Sequence, residues 1–317
     1  MENITKNREY PSLLVGIIAI FLWSTSSALT RTLSEQAGTF TSASYAYLIS
    51  GLIGTLLILP KKKRRERLLL LPKKYIFSCG GLFVLYNVTI YVAIGIAHNR
   101  AQVLGIALVN YLWPFLILIF SFLIIEQRIK IYYLMLGAIC ALSGAYFAIV
   151  HGTGVSFSDF SQEIQTNITA YLMAFGAAIS WGLYTVLNES WEKKYEVEDG
   201  YLIVAPVFFI SGLIMFCLSI FTNEESLWSL QVILELFYFA LFPLLLAHIM
   251  WTYVSQKKVI YSLSVVSMFL PLMTTVFNCI YFNIKLGSTL VLSCGLTTVG
   301  AIICKYAEVD TEVPPIP

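Results

Sequence analysis

Pro114 and Pro271 each interrupt the middle of a long apolar run, and the residues around them are where this chain could do chemistry. Four residues before each proline stands a polar side chain, Asn110 or Ser267, and twelve residues after each stands another, Glu126 or Asn283. A proline inside a helix has no N–H to give and clashes with the preceding turn. The carbonyls of Asn110 and Ser267 therefore lose their helical partners. Such carbonyls facing lipid would be costly, which favours protein or a wet cavity as their surroundings. The apolar runs also carry Trp23, Tyr86, Tyr91, Trp113, Trp181 and His248. Rings of this kind hold flat apolar molecules by offset stacking and ammonium groups by cation–π contact. This is binding chemistry. For bond-breaking there is no H-E-x-x-H, and the three aspartates, Asp159, Asp199 and Asp310, lie in polar segments. The six cysteines sit in apolar runs without a C-x-x-C pair, so they read as small buried hydrophobes, with no disulfide frame. No catalytic residue, metal site or cofactor is expected.

The elements that must position these residues are membrane helices. The chain is 58% hydrophobic and 12% charged, with a mean hydropathy of +0.78. Soluble domains carry about 25% charged residues. This balance excludes a cytosolic enzyme, a nucleic-acid binder and a disordered scaffold. A crossing helix needs about 20 mainly apolar residues, and ten segments qualify: Ser12–Thr30, Phe40–Leu59, Tyr75–Ala97, Ala101–Ile125, Ile131–Val150, Asn167–Asn188, Gly200–Thr222, Leu236–Gln256, Val259–Ile284 and Leu286–Cys304. None contains Asp, Glu, Lys or Arg. With the N-terminus inside, seventeen Lys and Arg fall on the inner side, eight of them in Lys61–Lys74, and three fall outside, Arg31, Arg100 and Lys285. The positive-inside rule then puts both termini in the cytoplasm. The basic loop reads as a topology determinant resting on lipid headgroups. The polar stretch 151–166 reads as an external linker, and the acidic, proline-rich tail as disordered.

The two halves repeat. Beside the matched prolines, Ala19/Trp23 is echoed by Ala177/Trp181, and Tyr91 and His248 each stand 23 residues before their proline. Gly137/Gly144 and Gly295/Gly300 mark two helices suited to close contact. Five helices per half is an odd number, so the second half enters from the opposite side. The predicted architecture is all-α: two inverted five-helix repeats, 1–150 and 167–304, joined by the linker and followed by a cytoplasmic tail at 305–317. Inverted repeats of this kind characterise secondary transporters with a substrate site near the midplane.

Ten helices in two such halves, with this proline-to-glutamate spacing, resemble the drug/metabolite transporter superfamily and its EamA-type repeat. The segments Val109-Asn110-Tyr111-Leu112-Trp113-Pro114 and Leu22-Trp23-Ser24-Thr25 are similar to those of its aromatic amino acid exporters. The resemblance implies a multi-pass protein of a bacterial inner membrane that exports aromatic amino acids by alternating access. Candidate substrate-binding residues are Trp23, Tyr86, Tyr91, Asn110, Trp113, Pro114, Trp181, His248, Ser267 and Pro271. Alternatives remain: another metabolite, nucleoside-like or cationic aromatic, or inward movement, and more distantly a scramblase or a non-transporting subunit. Expected partners are a small molecule and lipid, with no nucleic acid, and the protein is expected to be a monomer.

The residues alone leave open whether Trp113 and Trp181 wall a cavity or pack helices. Trp251, near a span end, reads as an interfacial anchor. Tyr86 and Tyr91 lie five apart, so one of them at most faces a pore. Gln102 and Asn278 need polar partners. With no carboxylate in any span, and with Glu126, Glu189 and Glu235 at or beyond the edges, transport is expected to be uncoupled from ions.

Overall fold

The computed structural model describes residues 2–151, 156–197, 199–257, 259–285 and 287–309. Among these residues are nine helices long and apolar enough to cross a membrane, with a bent pair that forms a tenth crossing. They are α1 (Pro11–Ala37), α2 (Thr39–Ile58), α3 (Lys73–Gly95), α4 (Ala101–Ile124), α5 (Ile131–Ile149), α6 (Ile168–Tyr195), α7 (Gly200–Thr222) and α8 (Leu230–Val254). The bent pair Ile260–Ser267 and Leu270–Tyr281 is α9, with 42° between its pieces, and Ser288–Ala307 is α10. The many large apolar side chains left exposed, such as Leu56, Phe77, Ile139, Phe221 and Val291, suit a lipid solvent.

Loop contacts sort the molecule into two ends. At one, Arg67 pairs with Asp199 at 3.0 Å, and Lys130 N–H bonds Ala307 O at 2.8 Å. The basic loops meet here, and we call it the basic end. At the far end, Glu224 receives the Phe40 and Thr41 N–H groups at 3.0 and 2.7 Å. This carboxylate satisfies free donors where α2 begins. Also at the far end, Gln102 is buried but fully engaged by His98 N–H, Glu163, Thr166 and Asn167.

Both prolines sit where expected, and the helices respond by breaking. The α4 path stops at Asn110 and resumes at Trp113, and α9 stops at Ser267 and resumes at Leu270. Each proline thus falls in the first turn of a new segment, where a missing N–H is harmless. Glu126 (φ 59°) and Asn283 (φ 54°) both turn left-handed beyond these segments, as Gly38 (φ 84°) and Glu196 (φ 54°) do after α1 and α6. Packing is matched as well. Helix α1 rests on α8 and α9 as α6 rests on α3 and α4, while α2 pairs with α7 and α5 with α10.

Several expectations are corrected. The helices outrun their apolar runs: α1 continues through Arg31 and Glu35, α6 through Glu189 to Tyr195, and α8 begins before Glu235. Spans free of carboxylates are therefore not what the fold contains. Glu189 is buried. Hydropathy sees lipid contact, whereas backbone hydrogen bonding carries a helix beyond it. The linker holds a helix, Phe157–Thr166, opened by a capping box of Ser156 and Asp159. The basic loop holds another, Lys62–Leu70. Gly137, Gly144 and Gly300 lie in the α5–α10 contact, where a Cβ would strike neighbouring backbone, but Gly295 faces open space. Cys217 and Cys294 are exposed; Cys79, Cys279 and Cys304 are buried, and all six are free. The tail expected to be disordered falls, from 310 onward, outside the described residues; before it, Val309 N–H bonds Arg128 O at 3.2 Å.

Candidate functional site

Five helices bring aromatic rings together in the middle of the bundle. Trp23 of α1 is the hub. Its ring centroid lies 6.3 Å from Trp113 of α4, 5.7 Å from Trp181 of α6, and 5.1 Å from both His248 and Trp251 of α8. Tyr86 of α3 approaches Trp181 at 4.9 Å, and Phe83 stacks on His248 at 5.5 Å. Most of these pairs are edge-on or tilted, the arrangement that suits ring quadrupoles. Trp113, Trp181, His248 and Trp251 are buried, and Trp23 is half-buried.

The helix carrying the hub is interrupted beside it. Successive hydroxyls of Ser24, Thr25 and Ser26 bond back to the carbonyls of Phe21, Leu22 and Trp23 at 2.6, 2.8 and 2.6 Å. Such bonds offer the backbone an alternative to its ladder, and α1 is broken at Thr25. His248 is held differently. Its Nδ1 lies 2.8 Å from Leu244 O and 3.1 Å from Pro243 O, contacts that require a proton on this nitrogen. Trp23 Nε1, 3.4 Å from the same atom, then finds no lone pair there. The hub indole is packed by rings and lacks a strong hydrogen bond. Pro243 itself sits in a π-helical stretch, Ala240–Leu246, which leads directly into His248.

The ten candidates do not share one site. Trp23, Tyr86, Trp113, Trp181 and His248 converge. Tyr91 does not: it is buried against Tyr47, with centroids 5.6 Å apart. Pro114, Ser267 and Pro271 line a separate small void with Tyr111 and three residues of α5, Ala141, Leu142 and Ala145. The broken α4 and α9 thus meet at α5, beside the cluster. Asn110 keeps a buried Oδ1 without a partner, while Ser267 Oγ bonds Ser264 O at 2.7 Å.

Trp251 is the clearest correction among the aromatics. It is fully buried, its Nε1 donates to Thr185 Oγ1 at 3.1 Å, and it touches Trp23 and Trp113. Depth along the chain suggested a belt; the side it faces puts it in the core. The missed residues Phe83, Tyr184 and Trp251 each stand three positions from a recognised one, Tyr86, Trp181 and His248. That spacing places two residues on one helix face and is the signal that could have found them.

Below the cluster, the basic end is closed by a chain of hydrogen bonds. Tyr75 OH donates to Asn188 Oδ1 at 2.6 Å, and Asn188 Nδ2 donates to Tyr184 O at 2.9 Å. Tyr184 OH shares a 2.6 Å bond with Thr252 Oγ1, and Gln256 Nε2 reaches Val197 O. These bonds tie α3, α6 and α8 together.

A helical membrane protein with an uncharged aromatic centre and two matched broken helices belongs to the class of multi-pass carriers. The model of the EamA-like transporter family matches the chain twice, over residues 11–150 and 168–305, and the chain belongs to that family. It is therefore a multi-pass inner-membrane transport protein. It is similar to the aromatic amino acid exporter YddG of Salmonella typhimurium, 27% identical over 93% of this chain and 96% of the relative. The exporter of that name from Escherichia coli is 26% identical with the same coverage. A crystal structure 22% identical in sequence superposes with a TM-score of 0.74, covering 94% of this chain and 98% of its own, and so shares the fold.

Proposed function

We propose that this protein carries aromatic amino acids across the membrane, exporting them by alternating access around the Trp23–Trp113–Trp181–His248 cluster. The observation that carries this reading is the cluster itself: indole, phenol and imidazole rings converge at mid-bundle, with no carboxylate, ammonium or guanidinium group among them. Such a centre favours a flat apolar ring over a sugar phosphate or an inorganic ion. The names of the relatives point to the same substrate class.

In this reading the two halves, 1–150 and 167–304, are inverted repeats, and the basic end faces the cytoplasm. Matched breaks at Pro114 and Pro271, and the exchanged packing partners, support the symmetry. Alternating access then exchanges the packing of the two ends around the cluster. Transport is uncoupled: His248 is engaged by backbone carbonyls and ringed by aromatics, and among the described residues no carboxylate, Lys or Arg pairs with it to relay a proton.

The test is uptake of labelled tryptophan into proteoliposomes, competed by a panel of amino acids, nucleosides and aromatic cations. Competition by tryptophan, phenylalanine and tyrosine, with none by nucleosides or cations, is expected. Preferential competition by a nucleoside or an aromatic cation would move the assignment to that class. Accumulation above equilibrium under an imposed proton or sodium gradient would refute the uncoupled mechanism.

A further inference from the structure

Resting on the reading of the protein as a carrier of aromatic amino acids, we propose that Glu235 is a binding station for the substrate's primary ammonium group, placed between the aromatic cluster and the far end. An ammonium has three donors and no acceptor. The cluster offers it ring faces but no anion, so the polar end of the substrate must be met elsewhere.

A track leads from the cluster to Glu235. Ser27 lies four residues beyond Trp23 on α1, just past the break at Thr25. Asn278 Nδ2 of α9 donates to Ser27 Oγ at 3.4 Å. Tyr281 follows Asn278 by three residues, on the same face of α9. Its hydroxyl donates to Glu235 Oε1 at 2.5 Å, and Gln231 Nε2 donates to the same oxygen at 2.7 Å. The carboxylate is therefore held in place by one of its oxygens.

The other oxygen is what points to a ligand. Glu235 Oε2 is buried without a hydrogen-bond partner, and so is Asn278 Oδ1 on the same track. Both are acceptors, and a buried acceptor without a donor is destabilising. Arg31 does not answer this charge: it pairs with Glu35 at 3.1 Å and lies over the Phe282 ring, 4.6 Å from its centroid. Among the described residues no Lys or Arg pairs with Glu235. An acceptor-rich, anionic and sterically fixed group beside the path fits a primary ammonium.

The experiment measures binding of tryptophan and of indole-3-propionate, which has the same ring and carboxylate but no amino group, to the purified full-length protein. Glu235→Gln should weaken tryptophan about tenfold, the scale of a charge-assisted hydrogen bond, and leave indole-3-propionate unchanged. Glu235→Asp should keep part of the preference, and Tyr281→Phe should reduce it less than Glu235→Gln does. Melting temperatures within a few degrees of the parent establish that the variants are folded. An equal loss for both ligands, or no loss for either, overturns the ammonium station while wild-type tryptophan binding leaves the carrier reading standing. Wild-type protein that binds neither ligand overturns the carrier reading, and this inference with it.

Discussion

The two ends of the bundle are built from matched helices yet are held in opposite ways. At the basic end, α3, α6 and α8 are joined by Tyr75–Asn188, Tyr184–Thr252 and Trp251–Thr185, all buried, at 2.6, 2.6 and 3.1 Å. Counting with the repeat, 157 residues between α3 and α8 and 158 between α1 and α6, the same places at the far end are Val232 and Thr30, Ser26 and Gly95, and Ser27 and Ile94. None of these pairs can make the corresponding side-chain bond. There α8 and α9 are joined by Tyr281–Glu235 at 2.5 Å, but the bonds that bring in α1 are long, Thr25–Tyr238 and Asn278–Ser27, each at 3.4 Å. In the alternating-access mechanism proposed above, matched backbones would give two alternative closures, and unequal side chains would decide which is preferred. Here the polar chain favours closure at the basic end.

The largest effect to look for tells which side each end faces. A reporter inserted within 61–74, or fused after Lys305, should read as cytoplasmic, and one near Asp159 as external. A cytoplasmic reading at Asp159 would break the ten-crossing arrangement and the comparison with it.

Next in size is the lock itself. Tyr75→Phe combined with Tyr184→Phe removes two buried hydrogen bonds, each contributing about 1 kcal/mol. Together these should shift the balance toward a form open at the basic end by about 30-fold. Alkylation of a cysteine placed at Val197 reports the opening. Unchanged labelling would mean that these bonds do not hold the end shut.

The aromatic cluster lies between the ends and should respond in two ways. Trp113→Ala and Trp181→Ala remove stacking walls and should weaken substrate affinity several-fold, on the order of 1 kcal/mol. Trp251→Ala also removes a lock bond and a fully buried ring. Each of the three truncations of a buried ring should cost about 3–5 kcal/mol of stability, and Trp251→Ala about 1 kcal/mol more through the lost bond to Thr185. Equal melting temperatures for the three variants would contradict the different position given to Trp251.

The smallest effect concerns the far end in acid. Backbone and hydroxyl bonds from Ser156 hold the Asp159 carboxyl below its ordinary range. Bonds from Asn99 and Gln102, with a lesser one from Thr166, do the same for Glu163. For carboxyls depressed in the folded state, the added stability is present above their unfolded pKa and is lost as pH falls through the folded one. Melting measured from pH 7 downward should thus show a small loss beginning near pH 4. Glu163→Gln should flatten that loss, and an identical profile in the variant would show that this network is not its source.

Much of the architecture was legible because lipid is a demanding solvent. Pro114 and Pro271 announced two broken helices, and the matched Glu126 and Asn283 turned out to be matched left-handed turns. Helix ends were read less well, since hydropathy stops at the lipid boundary while hydrogen-bonded turns continue. Glu189 and Glu235 were misplaced for that reason. Within the site, Trp113 and Trp181 were found by depth and Trp23 by its echo at Trp181 in the repeat, but depth is blind to direction around a helix. Trp251 was therefore taken for an anchor, whereas the five-residue spacing of Tyr86 and Tyr91 kept them off a common face, and they do pack apart, on Trp181 and on Tyr47.

The sequence by itself determined the solvent, the crossings and the repeat, because each is a property of one segment: its length, its hydropathy, its proline. Only the tertiary structure decided which rings meet at Trp23, which end is locked and where Glu235 stands. Those are relations between helices. They depend on the rotation of each helix about its axis, and that rotation is set by packing against neighbours far away in the chain.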